Sequence, residues 1–257
     1  MIEAAAQTWW MVGRQARNLF REPIWIVMML VQPMIWLLLY SQLFRRITDL
    51  PGFGTRSYVD FLAPAVVVMT AFFPGTWSGM GMITDLDRGV IERFLATPTR
   101  RSALVLSQVV RSAVTSAIQG LIILVVSLFL GATNGGMVGW MAILLAAALI
   151  SAGFSGISQG VALLTRREAT MIAIANFIGL PLMFFSSMLI AFALIPGWMQ
   201  IAARVNPVQW AVDAARQPVL AGTDWGLVAL SLGLLAAFCV ATSAFATWAF
   251  RAYQRTL

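Results

Sequence analysis

Met137–Leu164 reads MVGWMAILLAAALISAGFSGISQGVALL and contains no charged residue. An α-helix needs about 20 apolar residues to cross the hydrocarbon core of a bilayer, and this run exceeds that length. A spanning strand would alternate polar and apolar side chains, which it does not. Because the bilayer offers no water to the backbone, the run predicts a membrane-spanning helix that closes its own hydrogen bonds.

Five further runs have the same character: Ile24–Phe44, Tyr58–Met82, Ala103–Leu130, Ala169–Leu194 and Trp225–Phe250. Over 257 residues the chain is 60% hydrophobic and 11% charged, with a mean hydropathy of +0.84. An ordinary soluble domain carries about 25% charged residues, so lipid is the main solvent here. The expected fold is an all-α polytopic membrane protein, with six spans in one transmembrane domain over residues 1–257.

All 17 basic residues are Arg; the chain has neither Lys nor His. A phosphate-cradling loop of the G-x-x-x-x-G-K-[ST] kind needs its Lys, so this polypeptide has no such ATP site. Histidine metal sites and catalytic triads are excluded by the same count. The single cysteine, Cys239, lies within an apolar run and reads as packing. No catalytic residue, metal site or bound cofactor is expected. The net charge of +7 comes from arginines scattered at the ends of apolar runs, which suits membrane orientation rather than nucleic acid.

Eleven arginines (14, 17, 21, 88, 93, 100, 101, 166, 167, 251, 255) flank one side of the six runs and five (45, 46, 56, 204, 216) the other. The positive-inside rule then puts both termini in the cytoplasm of a cell-membrane protein. Residues 1–22 lack the form of a cleaved secretory signal. Arg14, Arg17 and Arg21 share one helical face opposite Trp9, Val12, Leu19 and Phe20, which predicts an interfacial amphipathic helix.

Two connections carry pattern. Asp85–Arg101, DLDRGVIERFLATPTRR, sets Leu86, Val90 and Phe94 on one helical stripe and Asp85, Arg88 and Glu92 on the other side. The pattern suits either a docking helix over residues 85–98, closed by Pro98, or a solvated connector. Residues 195–224 hold Trp198, Ile201, Ala202 and Val205 at helical spacing, then Asn206-Pro207, then Val208, Val212, Ala215 and Val219. Two short helices at the outer face are predicted. Asp213 and Arg216, at i and i+3, are spaced to pair.

Within the third run Gln108, Arg111, Ser112, Thr115 and Gln119 share a face, which lipid makes costly unless it meets the bundle interior or a watery path. Arg111 either contacts cargo or snorkels to the cytoplasmic surface. Gly153, Gly156 and Gly160 predict close helix packing, and Pro33, Pro64, Pro74 and Pro181 predict bends.

The segment 85–98 resembles the signature of type-two ABC exporter permeases, the daunorubicin-resistance and nodulation-factor exporter group, which runs G-T-L-E-x-L-x-x-[ST]-P. Gly89, Ile91, Glu92, Leu95, Thr97 and Pro98 fit it, and Val90 stands where the family has Thr. Ser186-Ser187, Pro196-Gly197-Trp198 and NPVQWAVDAAR from Asn206 to Arg216, with Pro207 and Trp210, resemble the family's stretch between its last two spans. The resemblance implies a coupling helix at Asp85, Asp87, Arg88, Gly89, Glu92, Phe94 and Pro98 that contacts a separate ATPase, which binds ATP and Mg²⁺. It further implies re-entrant outer helices over residues 195–224 and a second permease subunit, identical or similar. The expected activity is export of an amphiphilic drug-like or lipid-type cargo. The alternatives are a polysaccharide- or glycolipid-exporting ABC permease and an ion-coupled secondary transporter. The latter would call for carboxylates within the spans, and none is evident.

Overall fold

A computed structural model describes residues 23–44, 57–88, 101–133, 135–220 and 222–254. The described residues form helices and no strand: α1 (Pro23–Leu43), α2 (Tyr58–Asp87), α3 (Arg101–Phe129), α4 (Gly136–Thr165), α5 (Glu168–Phe184), α6 (Gly197–Arg204), α7 (Pro207–Arg216) and α8 (Trp225–Gln254). Single 3₁₀ turns lie at Phe192–Leu194 and Gln217–Val219. Among the described residues, α2, α3, α4 and α8 are long and apolar enough to cross a membrane. The apolar helix α5, Glu168–Phe184, is shorter.

α4 is the centre of the bundle, packed against α2, α3, α7 and α8. Small side chains permit this on two faces. Toward α2, a Cβ on Gly75 would lie 2.6 Å from the Ser151 carbonyl oxygen, so the two backbones are already in contact. The Gly79 N–H donates to Ser158 Oγ at 2.9 Å and Ser78 Oγ donates to Ser155 Oγ at 2.9 Å. Toward α8, Gly153, Gly156 and Gly160 face Phe238, Thr242 and Phe245 with no room for a Cβ. Without a hydrophobic drive between helices in lipid, such close approach and interhelical hydrogen bonding supply the association.

The second helix runs to Asp87, past the expected end at Met82, so Asp85 and Asp87 belong to its last turn. At its start Ser57 and Asp60 form a reciprocal cap: the Asp60 N–H donates to Ser57 Oγ at 3.2 Å, and Ser57 Oγ donates to Asp60 Oδ2 at 3.0 Å. Asp60 Oδ1 also accepts the Thr133 N–H at 2.6 Å and so ties the α3–α4 connection to α2.

The fifth helix departs most from its expected span. It stops at Phe184, not Leu194, and its 17 residues cover ~25 Å, short of the ~30 Å hydrocarbon core. Pro181 removes one donor from its last turn. The carbonyls of Leu182 and Phe185 then accept from Asn206 Nδ2 at 2.6 and 3.1 Å, which replaces the helical bonds they would otherwise make. The two short helices between residues 195 and 224 fall where the spacing puts them. Asn206 caps α7 by accepting the Val208 N–H at 2.9 Å, and Pro207 occupies its first turn.

Candidate functional site

Between α1, α2 and α5 lies a cavity of about 510 Å³. Gln32, Pro33 and Trp36 line it from α1, Met69, Thr70, Phe73, Pro74 and Trp77 from α2, Gln119 from α3, and Leu180, Met183 and Phe184 from α5. A helical proline lacks an N–H and crowds the carbonyl one turn earlier, so Pro33 and Pro74 loosen both helices beside the cavity. The lining has no ionisable side chain, and the Thr70 hydroxyl is already spent on the Val66 and Val67 carbonyls at 3.1 and 2.8 Å. Gln32, Gln119 and the indole N–H groups of Trp36 and Trp77 are the remaining polar side-chain groups among its described lining residues. Aromatic walls with a few amides suit an uncharged or amphiphilic guest.

A chain of rings leads from this cavity to the Tyr58 end of α2. Trp36 stacks on Tyr40 at 4.8 Å, Tyr40 meets Phe44 at 5.4 Å, Phe44 meets Tyr58 at 5.6 Å, and Tyr58 meets Phe61 at 5.9 Å. It ends on a charge, because the Arg216 guanidinium lies 3.7 Å from the Phe61 centroid.

Arg216 is 6% exposed. Its Nη1 donates to Ser187 O at 2.7 Å, its Nη2 to Met188 O at 2.7 Å, and its Nε to Phe61 O at 3.2 Å. Gln209 completes the clasp: its Oε1 accepts the Ser187 N–H at 2.7 Å, and its Nε2 donates to Ser187 Oγ at 2.9 Å and Asp213 Oδ1 at 2.7 Å. The spacing of Asp213 and Arg216 allows a direct pair, but the guanidinium fork is spent on carbonyls beyond α5 and on α2. Asp213 acts on it as a neighbouring charge and bonds Gln209 instead. Burial pulls the Arg216 pKa down to about 10, and it stays charged at neutral pH.

Burial pushes the Asp213 carboxyl up to about 6, against the Gln209 hydrogen bond and the Arg216 charge, which pull it down. The folded chain then holds a proton that the unfolded chain has released. Its stabilising contribution is full below about pH 4 and lost as the pH rises through about 6. Asp213→Asn keeps an oxygen for Gln209 and removes the titration. Between about pH 4 and 7 the wild-type unfolding midpoint should fall relative to that of the variant, and parallel curves would contradict the assignment.

At the opposite end of the bundle Asp85 is half-buried, with Arg111 of α3 and Arg88 as its charge neighbours, while Asp87 and Arg88 are exposed. Gly89, Glu92, Phe94 and Pro98 lie outside the described residues, as does the stretch 1–22. The polar face of α3 divides. Arg111 is exposed, Gln108 and Thr115 are half-buried, and Ser112 turns to α4, 2.8 Å from Ser151 Oγ. Gln119 alone among them lines the cavity.

Sequence reasoning missed Trp36, Phe73 and Trp77, because an aromatic residue in a span is unremarked until its neighbours are known. It also missed the roles of Gln209 and Ser187, although both lie in quoted motifs. Of the singled-out outer residues, Trp210 donates its Nε1–H to Arg204 O at 2.8 Å and joins α6 to α7.

Comparison with known proteins bears on this arrangement. The profile of the ABC-2 type transporter family matches residues 6–220. The chain is 27% identical over 216 residues to the putative transport permease ycf38 of Porphyra purpurea, covering 84% of this chain and 74% of that one. It is 29% identical over 207 residues to the ycf38 permease of Cyanophora paradoxa, covering 80% and 71%. It is 26% identical over 231 residues to the daunorubicin resistance ABC transporter permease protein DrrB1 of Streptomyces coeruleorubidus, covering 86% and 78%. With a match that takes in α1 to α7, the cavity and the Arg216 clasp, the chain belongs to the ABC-2 type transporter family of membrane permeases.

Proposed function

We propose that this permease is the membrane half of an ATP-driven exporter of amphiphilic, drug-like or lipid-type molecules, energised by a separate ATPase subunit. One observation carries the reading: the family match covers residues 6–220 of a chain that has no Lys with which to build a phosphate-binding loop. ATP and Mg²⁺ belong to the partner, and this chain receives work rather than generating it.

In this reading α1, α2, α3, α4, α8 and α5 with its unwound continuation are the six spans, and both termini are cytoplasmic. The charge distribution supports that orientation: Arg88, Arg111, Arg166, Arg167 and Arg251 gather at the Asp85 end, and Arg204 and Arg216 at the other. The first 22 residues lie along the inner surface of the cell membrane. The coupling segment is residues 85–98, which begins in the last turn of α2. α6 and α7 re-enter the outer leaflet, which the exposure of Trp198, Ile201 and Val205 on α6 supports. A second permease subunit completes the path, and the cavity beside α5 receives cargo. ATP-driven closure of the partner presses on the coupling helices, and the bundles rock to open a route outward.

Purification of the full chain with its ATPase tests this. The two should co-elute, and Glu92→Arg should release the ATPase while leaving the permease folded. Co-elution unaffected by Glu92→Arg would remove residues 85–98 from the contact, and failure to find any ATPase partner would remove the function.

A further inference from the structure

α5 meets the bundle along one line. Its buried residues, Met171, Ala175, Gly179 and Met183, recur every four positions, and most of its other side chains are exposed. The cavity described above lies on one flank of this ridge. On the other flank is a slot of about 160 Å³ between α5, α4, α2 and α8. Along α5 it extends from Met171 to Leu182, a rise of ~16 Å.

The chemistry of this slot is one-sided. Its only polar side chains are Thr76 and Ser158, and both hydroxyls are spent. Thr76 Oγ1 donates to Phe72 O at 2.9 Å; Ser158 Oγ donates to Thr76 O at 2.6 Å and accepts the Gly79 N–H at 2.9 Å. Water therefore finds no partner there, and apolar cavities of ~150 Å³ stay dry and take apolar guests. Ile178 lines the slot yet is 49% exposed, so the slot opens sideways from the bundle.

Two arginines lie at one end. Arg166 and Arg167 form the α4–α5 connection, one turn or so beyond the lining residues Val161 and Met171, and both are exposed. The Arg167 carbonyl accepts the Met171 N–H at 3.2 Å, which fixes that connection at the foot of the slot. Arg166 has a left-handed backbone, with φ of 53°, and sets its guanidinium 4.5 Å from the Tyr253 centroid on α8, the helix that also supplies Phe238 to the slot. Glu168 follows the two arginines in the chain.

We infer that an acyl chain of an anionic phospholipid occupies the slot between α5 and α8, with its phosphate at Arg166 and Arg167. The ~16 Å length is about half the ~30 Å hydrocarbon core, the reach of one leaflet's chain. Apolar walls match the chain, and the exposed arginines match the headgroup. The lipid props α5 from behind and so sets the position of the wall that α5 gives to the cavity on its other side. This holds whatever molecule that cavity receives and whatever drives transport.

The test uses the full chain in phosphatidylcholine vesicles doped with phosphatidylglycerol that carries a photoactivatable diazirine at mid-chain. Label should concentrate on Ile174, Ile178 and Phe238. Replacing Arg166 and Arg167 with Gln should cut it by about fivefold for each arginine, as expected for roughly 1 kcal/mol per basic residue near an anionic headgroup. Ala175→Phe, which fills the slot, should abolish it in folded protein. Label spread evenly over the exposed faces of α1 and α3, or unchanged by the arginine substitutions, would overturn the proposal. So would label that survives a folded Ala175→Phe variant; if that variant does not fold, the arginine pair decides.

Discussion

Arg216→Met is expected to lower stability more than any other single substitution at the outer end of the bundle. Methionine keeps the apolar stem and removes three charged donors, so the carbonyls of Phe61, Ser187 and Met188 lose their guanidinium partner in a dry interior. A hydrogen bond from a charged donor contributes ~1.5–3 kcal/mol, and a carbonyl left buried and unpaired costs about 1–3 kcal/mol. These contributions are not additive, and a total on the order of 4 kcal/mol is the reasonable sum. Arg216→Lys should recover only part, because an ammonium lacks the planar fork that reaches carbonyls in two directions. Thermal unfolding of purified protein in one detergent checks this. An Arg216→Met midpoint within a degree or so of wild type would show that the clasp does not hold the outer end.

Gly75→Ala is the second large effect, and its sign is decided by a competition. In a helix interior Ala is favoured over Gly by about 1 kcal/mol. At Gly75 the new methyl would stand 2.6 Å from Ser151 O and 3.0 Å from Ser151 Cα, both backbone atoms that no rotamer change can move. Overpacking of this kind costs ~1–3 kcal/mol, and α2 and α4 would have to separate along the seam that also carries the Ser78, Ser155 and Ser158 hydrogen bonds. The clash wins. At Gly233 of α8 nothing lies within 4 Å of the corresponding methyl, so only the helical preference remains and Gly233→Ala should be neutral or mildly stabilising. The pair is read by comparing unfolding midpoints; equal shifts in one direction would mean that α2 and α4 do not meet as closely as the structure places them.

What the sequence could and could not reveal follows from which forces act locally. The helices were legible because lipid forces every backbone group to pair within its own segment, so a long apolar run has one solution. The break at Asn206-Pro207 was legible because its cap and its proline act on neighbours a few residues away. The early end of α5 was not, since it depends on Asn206 reaching Leu182 and Phe185, more than twenty positions back in the chain. The polar face of α3 was legible as a face but not as a function: Ser151 of α4 claims Ser112, and Gln119 lines the cavity. The cavity itself is an assembly of residues that are individually ordinary in a span. Trp36, Phe73 and Trp77 mean something only once α1 and α2 stand side by side around an open volume.

As an exporter of the proposed kind, this bundle has no energy source of its own. The direct measurement is transport of a fluorescent amphiphile by the full-length permease in sealed vesicles, with and without its ATPase partner. Accumulation is predicted to require the ATPase and hydrolysable ATP together, and to be absent when either is omitted. Accumulation driven by an ion gradient across vesicles that hold this permease and no ATPase would contradict it.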